Sequence, residues 1–258
     1  MPHLPISVVM IAHREENIIR RSLKPLHGNF AEIILLGQDE KDPTLKIAAD
    51  EFGAKVFVEE WKGYRKQKES ATSKASSEWV LSLDADEVLT QEVIEEISQY
   101  FQSDSWDWVG ARISRKMWFM DRWITHGDSF PDRVLRLYKK NLAQWKGGTV
   151  HERIEVKGKV IDLHEPLLHY SYASLHDLHD KMRRYSADFA QDPLKLGQPK
   201  KNLEIFIRAF WRGFRSYILR LGFLDGFPGF YLATVHFYST IYRYGVLQEQ
   251  VDSSKDRP

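Results

Sequence analysis

Four apolar runs rich in β-branched residues, ISVVMIA (6–12), EIILLG (32–37), AKVFVEE (54–60) and EWVLSLD (78–84), recur at intervals of about 25 residues, with helix-patterned stretches between them. That is the spacing of βαβ units. The runs are near-continuous rather than alternating in hydrophobicity, which marks strands covered on both faces. About the first hundred residues are therefore expected to form a parallel, doubly wound α/β sheet. Sheets of this kind bind ligands beyond the carboxyl ends of their strands. The residues to weigh are those just after each run: Glu15, Asp39 to Asp42, the 62–69 stretch, and Asp84 to Glu87.

Several function classes drop out early. Thirty-seven basic and thirty-six acidic residues nearly cancel, so no overall field favours nucleic acid or another polyanion. The absence of cysteine excludes disulfide scaffolds, thiolate zinc sites and cysteine nucleophiles, and fits a reducing cytoplasm. ISVVMIA lacks the flanks of a signal peptide and reads as a buried strand. No dinucleotide glycine fingerprint, Walker loop or GxSxG elbow is present, which argues against dehydrogenase, NTPase and hydrolase activities. A length of 258 residues suits one large domain or a domain with an appended helical piece.

The fourth run ends in LDADE, which crowds Asp84, Asp86 and Glu87 at a strand tip. Two unpaired carboxylates at about 4 Å repel by roughly 4 kcal/mol at an effective dielectric of about 20. A bound divalent cation removes that cost, and Mg²⁺ or Mn²⁺ binds through one or two carboxylates plus the phosphates of a substrate. The alternative is that Asp84 or Asp86 caps the helix beginning near Thr90, with Glu87 solvated.

IAHREENI, a diacid-ended strand and the preceding GYRKQKESATSKASSEW together resemble glycosyltransferase family 2, the inverting GT-A fold. The likeness extends to VHERIEVKG (150–158), HYSY (169–172) and GFLDG (222–226), and is to the bacterial branch that adds glucose or similar sugars to the lipopolysaccharide inner core. It implies a Rossmann-like, mixed but mainly parallel sheet flanked by helices, with a nucleotide-sugar half at about 1–105 and an acceptor half at about 106–200. It further implies Glu15 at the nucleotide ribose, Asp42 at the base, and Lys68 near the base or phosphates. In the DxD formed by Asp84, Ala85 and Asp86, Asp84 is implied near the ribose and Asp86 as ligand to the metal, with His151 at the metal or diphosphate. A UDP-sugar is the donor so implied. Read alone, Glu15 is equally a first-turn carboxylate and Lys68 a solvated helix lysine. The chain departs from the family pattern at Gly37, where an aspartate is expected, at Arg14 and at Glu69; Asp39 is the candidate substitute from a shifted loop.

Glycosyl transfer develops positive charge at the anomeric carbon and negative charge on the departing phosphate, while the acceptor hydroxyl loses a proton. In HGDSFPDRVLRLYKK (126–140), PDxxxRL resembles the family's later acidic motif, which makes Asp132 the expected base; Asp128 and Glu152 are alternatives, as is an Asp132 merely paired with Arg133 or Arg136. SRKMWFMDRWITHG (114–127) interleaves aromatic and basic residues. Trp118, Trp123 and His126 suit stacking on sugar rings, and Arg115 and Arg122 suit acceptor phosphates, unless the aromatics are core. Trp123, His126 and Arg136 are the acceptor-side candidates. Strands near 108–113, 133–138 and 148–156 are expected to complete the sheet. Histidines 164, 169, 176 and 179 are too irregularly spaced for zinc and read as satisfied or solvated.

From Leu203 to Gly245 aromatics abound, but Arg208, Arg212 and Arg215 interrupt any run long enough to span a bilayer. The arginines fall at i, i+4 and i+7 on one helical face, with Phe210, Phe214, Tyr217, Ile218 and Leu221 on another. The segment 201–248 is therefore expected as two short helices, broken at GFLDG, lying in a headgroup layer and attracting anionic lipid, with a frayed tail at 249–258; the competing placement is a cap on the sheet domain or on a second subunit. The expected function is metal-assisted transfer of a sugar, glucose in the resembled branch, from a UDP-sugar to lipopolysaccharide core or another lipid-linked saccharide, at the cytoplasmic face of a bacterial inner membrane. A non-catalytic relative that binds a nucleotide sugar or a membrane, and a nucleotidyltransferase, are the alternatives.

Overall fold

The computed structural model describes residues 3–102, 107–147, 152–190 and 201–255. The four runs become strands β1 (Leu4–Ile11), β2 (Phe30–Gly37), β3 (Lys55–Val58) and β4 (Trp79–Asp84). β1 pairs in parallel with β2 and with β4, and β2 with β3, giving the order β3-β2-β1-β4. Burial on both faces explains the unbroken hydrophobicity. Ile6, Val8, Met10, Leu35 and Leu81 enter one core cluster, whereas their chain neighbours Val9, Ile34, Leu36 and Val80 enter another. Each such fully buried aliphatic side chain contributes about 1.5–3 kcal/mol.

Helices α1 (Ile19–Leu23), α2 (Pro43–Phe52), α3 (Tyr64–Ser73) and α4 (Gln91–Phe101) connect and flank these strands. α2 shows why local sequence sets the boundaries: Asp42 caps it by accepting from the Thr44 amide (2.9 Å), Pro43 opens it, and Gly53 closes it in the left-handed region (φ 64°). α4 is capped by Thr90, whose hydroxyl accepts from the Val93 amide (3.3 Å). Neither Asp84 nor Asp86 serves as that cap, so the capping alternative for the strand-tip acids falls.

Beyond β4 the sheet becomes mixed, as expected. It includes β5 (Glu87–Val88), β6 (Gly110–Phe119), β7 (Arg122–Trp123), β8 (Asp132–Lys139), β11 (Val160–Asp162) and β12 (Leu167–His169), in the order β4-β8-β6-β12-β5, with β7 and β11 alongside β6. β8 lies antiparallel to β4. The expectation that 148–156 joins this sheet is corrected. β10 (Arg153–Val156) instead pairs antiparallel with β9 (Ala143–Lys146) in a separate ribbon, since its near neighbour in sequence already satisfies its backbone; 148–151 lie outside the described residues.

The chain divides into two compact units, Met1–Lys116 with Arg133–His169, and Met117–Asp132 with Tyr170–Pro258. The second unit has its own small core of Met117, Phe119, Ile124, Leu178 and Leu232. Its helices are α5 (Leu175–Ala190), α6 (Asn202–Phe214) and α7 (Gly226–Lys255). A π-helical turn (Arg215–Leu219) and a 3-10 turn (Gly222–Asp225) separate α6 from α7. The break at GFLDG is present, but the helix after it is long, 30 residues. Glycine is required at that corner: a Cβ at Gly222 would meet the Ser216 carbonyl oxygen at 2.6 Å, and one at Gly229 would meet the Gly222 carbonyl oxygen at 1.9 Å. Among the described residues no helix is long and apolar enough to cross a membrane.

Candidate active site

The loops that follow β1 and β2 are tied together through Asp42. Besides capping α2, this carboxylate, 3% exposed, accepts from the Arg14 amide (2.7 Å). Burial opposes its ionisation, but the bonds from Thr44 and Arg14 outweigh it and hold the carboxyl below its ordinary value. Glu15 joins the same junction, its amide donating to the Thr44 hydroxyl (2.8 Å). Glu15 is not a first-turn carboxylate of α1, which has no acid in its first turn. Gly37 has a packing reason: a Cβ there would meet the Leu45 methyls at 2.7 and 2.8 Å, so the aspartate expected at this position would require the Leu45 side chain to move.

Lys68 projects from α3 to the tip of β4. Far from being solvated, it is 7% exposed, and its Nζ lies 2.7 Å from Asp84 Oδ1 and 2.9 Å from Glu152 Oε1. Arg136, from β8, reaches both Asp84 and Glu87, and Arg115 approaches Glu87 at 3.4 Å. The Asp84 amide also donates to Glu87 Oε2 (3.1 Å). Burial of Asp84 is overcome by Arg136 and Lys68, which hold its carboxyl well below the usual carboxylate range; burial of Lys68 is likewise overcome, chiefly by Asp84, which raises its pKa. Three acids, Asp84, Glu87 and Glu152, are thus matched by three cations, Lys68, Arg136 and Arg115. The repulsion inferred from sequence is resolved largely by side chains of the protein. Arg136, expected on the acceptor side, is 3% exposed inside this cluster.

Asp86 stands apart from that set. Its Oδ2 lies 3.4 Å from His169 Nε2 at the end of β12, and both side chains remain partly accessible, 29% and 16%. His169, set aside in sequence as satisfied or solvated, is the partner that sequence reasoning missed; its placement in the HYSY motif was the available signal. Ala85 between the two aspartates is buried, and its carbonyl accepts from the Ser22 hydroxyl (2.6 Å), which fixes the turn that separates them. His151 lies outside the described residues.

The remaining candidates belong to the second unit. Trp123 packs edge-on against Trp118 (centroids 4.9 Å apart) and Tyr170 (5.3 Å). Asp132 opens β8 and is half-buried. Asp128, weighed as an alternative base, is instead clamped by Arg215 and Arg220. His126 is anchored by a residue that sequence reading treated only as part of a helix break. Buried Asp225, in GFLDG, accepts from the amides of Thr125 (3.1 Å) and His126 (2.8 Å), and its Oδ1 lies 3.1 Å from His126 Nδ1. With Nδ1 so engaged, the imidazole keeps Nε2 for another partner.

The family model described as Glycosyl transferase family 2 matches residues 7–157. An uncharacterized glycosyltransferase of Rickettsia felis is 30% identical over 97% of this chain and 92% of its own length. One of Rickettsia bellii is 30% identical over 95% of this chain and 86% of its own. Among solved structures, Staphylococcus aureus TarS 1–349 in complex with UDP-GlcNAc aligns with 14% identity and a TM-score of 0.48, covering 98% of this chain and 92% of that one. Glucosyl-3-phosphoglycerate synthase from Mycobacterium tuberculosis, in complex with Mn²⁺, UDP and glucosyl-3-phosphoglycerate, aligns with 15% identity and a TM-score of 0.45, covering 70% and 77%.

Proposed function

The chain belongs to the glycosyl transferase family 2, and on that premise we propose that it moves a hexose, glucose, from a UDP-sugar to lipopolysaccharide core or another lipid-linked saccharide. The observation that carries the reading is the separation of Asp86 from the balanced cluster at the tip of β4. Asp84 and Glu87 are neutralised by Lys68, Arg136 and Arg115, whereas among the described residues Asp86 is within ion-pair distance of His169 alone, at 3.4 Å. A carboxylate oxygen and an imidazole nitrogen this close, and partly accessible, fit a Mg²⁺ or Mn²⁺ ion that takes its other ligands from phosphates and water. Among the described residues no group of three or more such ligands exists. Asp86 and His169 would hold the ion, with His151 as a third candidate. The ion would offset the charge growing on the departing diphosphate.

The protein's own groups do the rest. Lys68 and Arg136 fix Asp84 in one ionised position, and the Asp42 junction fixes the loop that carries Glu15, so the nucleotide meets a pre-organised surface. Asp132 takes the proton of the acceptor hydroxyl as it attacks, and inversion follows from attack opposite the leaving group.

The C-terminal helices suit attachment to a membrane surface on the cytoplasmic side. On α6, Leu203, Phe206, Ile207, Phe210 and Phe214 are exposed, while Ala209 is fully buried. An apolar face turned outward at this scale is typical of interfacial helices.

The test is UDP release and sugar transfer from UDP-glucose to core-truncated lipopolysaccharide, with Mn²⁺ supplied. Asp132→Asn should cut transfer by at least about 10²-fold, the scale of general-base loss, with donor binding intact. Near wild-type transfer by that variant would remove Asp132 from the mechanism, and pyrophosphate as product would mark a nucleotidyltransferase.

A further inference from the structure

Helix α6 carries its charge on the side that faces its partner helix. Its apolar residues point out, whereas Arg212 and, at the start of the following π-helical turn, Arg215 are only half-exposed, and α6 approaches α7 closely enough that a Cβ at Gly213 would lie 3.2 Å from Phe237. Between the helices lies a cavity of about 260 Å³ whose lining includes Arg208, Arg212, Arg215 and Arg243, with Trp211 and Tyr244. Among the described residues that line it there is no carboxylate.

The surrounding acids do not balance these guanidiniums. Glu204 pairs with Arg208 at 2.8 Å, and Asp128 is shared between Arg215 and Arg220. Among the described residues, no carboxylate lies within ion-pair distance of Arg212 or Arg243. Among the described residues, Arg243 meets the Ser239 carbonyl (3.3 Å) and the face of Phe189 (5.3 Å). Arg215 Nε is buried without a hydrogen-bond partner among the described residues. Burial, reinforced by neighbouring guanidiniums, lowers the pKa of Arg212 and Arg243. Burial and then Arg212 push nearby His236 down to about 4, so it is neutral at pH 7.

Two uncompensated guanidinium forks, with two more beside them, match one doubly charged tetrahedral anion. Pockets that enclose whole drug-sized ligands run from roughly 300 to 1,000 Å³. The smaller volume here suits a head group. We propose that this cavity is a binding site for a phosphoryl group, borne by an anionic lipid or free as phosphate or pyrophosphate. The site lies wholly within the second unit and is independent of the donor-site reading.

The test uses the full chain. Inorganic pyrophosphate should raise the melting temperature in proportion to the logarithm of its concentration, with sodium chloride at matched ionic strength giving no such rise. In flotation, vesicles of phosphatidylcholine doped with phosphatidic acid should capture more protein than phosphatidylcholine alone. Arg212→Gln/Arg243→Gln should lose the pyrophosphate response and at least tenfold of the phosphatidic acid preference, while UDP release from UDP-glucose stays at the wild-type rate. A response to pyrophosphate alone assigns the site to a soluble phosphate, and a response to phosphatidic acid alone assigns it to a lipid. An unchanged preference and an unchanged thermal response in the double variant overturn the proposal. If that variant does not fold, the wild-type chain decides: no response to either probe beyond the salt control overturns it. A wild-type chain that binds the anion but releases no UDP from UDP-glucose would count against the donor-site reading and leave this proposal standing.

Discussion

Both units bury charge, but they balance it differently. At the tip of β4, Asp84, Glu87 and Glu152 close on Lys68, Arg136 and Arg115. Between α6 and α7, four arginines face two acids, one of them shared with Arg220. A charge set that closes within the protein is scaffolding, because each desolvated ion already has its partner. One that does not close carries repulsion, roughly 4 kcal/mol for a like pair at 4 Å and an effective dielectric of about 20, that a ligand of opposite sign relieves. The same residue types therefore mean different things in the two places.

Deleting one cation from each region would break this comparison most sharply. Arg136→Met leaves Asp84 and Glu87 buried beside too little positive charge, and should lower unfolding stability by about 3–5 kcal/mol in urea titration. Arg212→Met removes one of several repelling guanidiniums and should change stability by less than about 1 kcal/mol, in either direction. Equal losses would erase the distinction.

Acidification should separate the units more gently. In the first unit, burial of Glu32 is overcome by Lys55, Ser7 and Ser76, which hold its carboxyl down to about 2. Because its folded pKa is depressed below the unfolded value of about 4.3, its contribution is complete above that value and is lost as pH falls toward 2. His236 in the second unit is depressed to about 4, against an unfolded value of about 6.5. The unfolded chain there binds the extra proton, so stability falls as pH drops from about 6.5 to about 4. Amide hydrogen exchange, corrected for intrinsic rate, should show α7 loosening before β1 and β2. The reverse order would contradict the two assignments.

Much of the first unit was legible in sequence because its signals are local. Continuous apolar runs at a fixed interval specify parallel strands buried on both faces. What was not legible depends on side chains far apart in the chain. The matching of Asp84 and Glu87 needs Arg136, some fifty positions away, and Asp86 meets a histidine more than eighty positions on, whose place in HYSY marked it but whose partner no local pattern named. In the second unit, helical periodicity correctly placed the arginines of α6 on one face. It could not reveal that this face turns toward α7, because Arg243 and Gly213, which make the cavity and the close approach, carry no sequence signal of their own.

The division of labour at the tip of β4 is tested most directly by electron paramagnetic resonance of Mn²⁺ titrated into the full chain with UDP present. Wild-type protein should show ordered Mn²⁺, and Asp86→Ala should bind it at least about tenfold more weakly, the least expected on removing a ligand or its support. Ordered Mn²⁺ at undiminished affinity in Asp86→Ala would contradict the account.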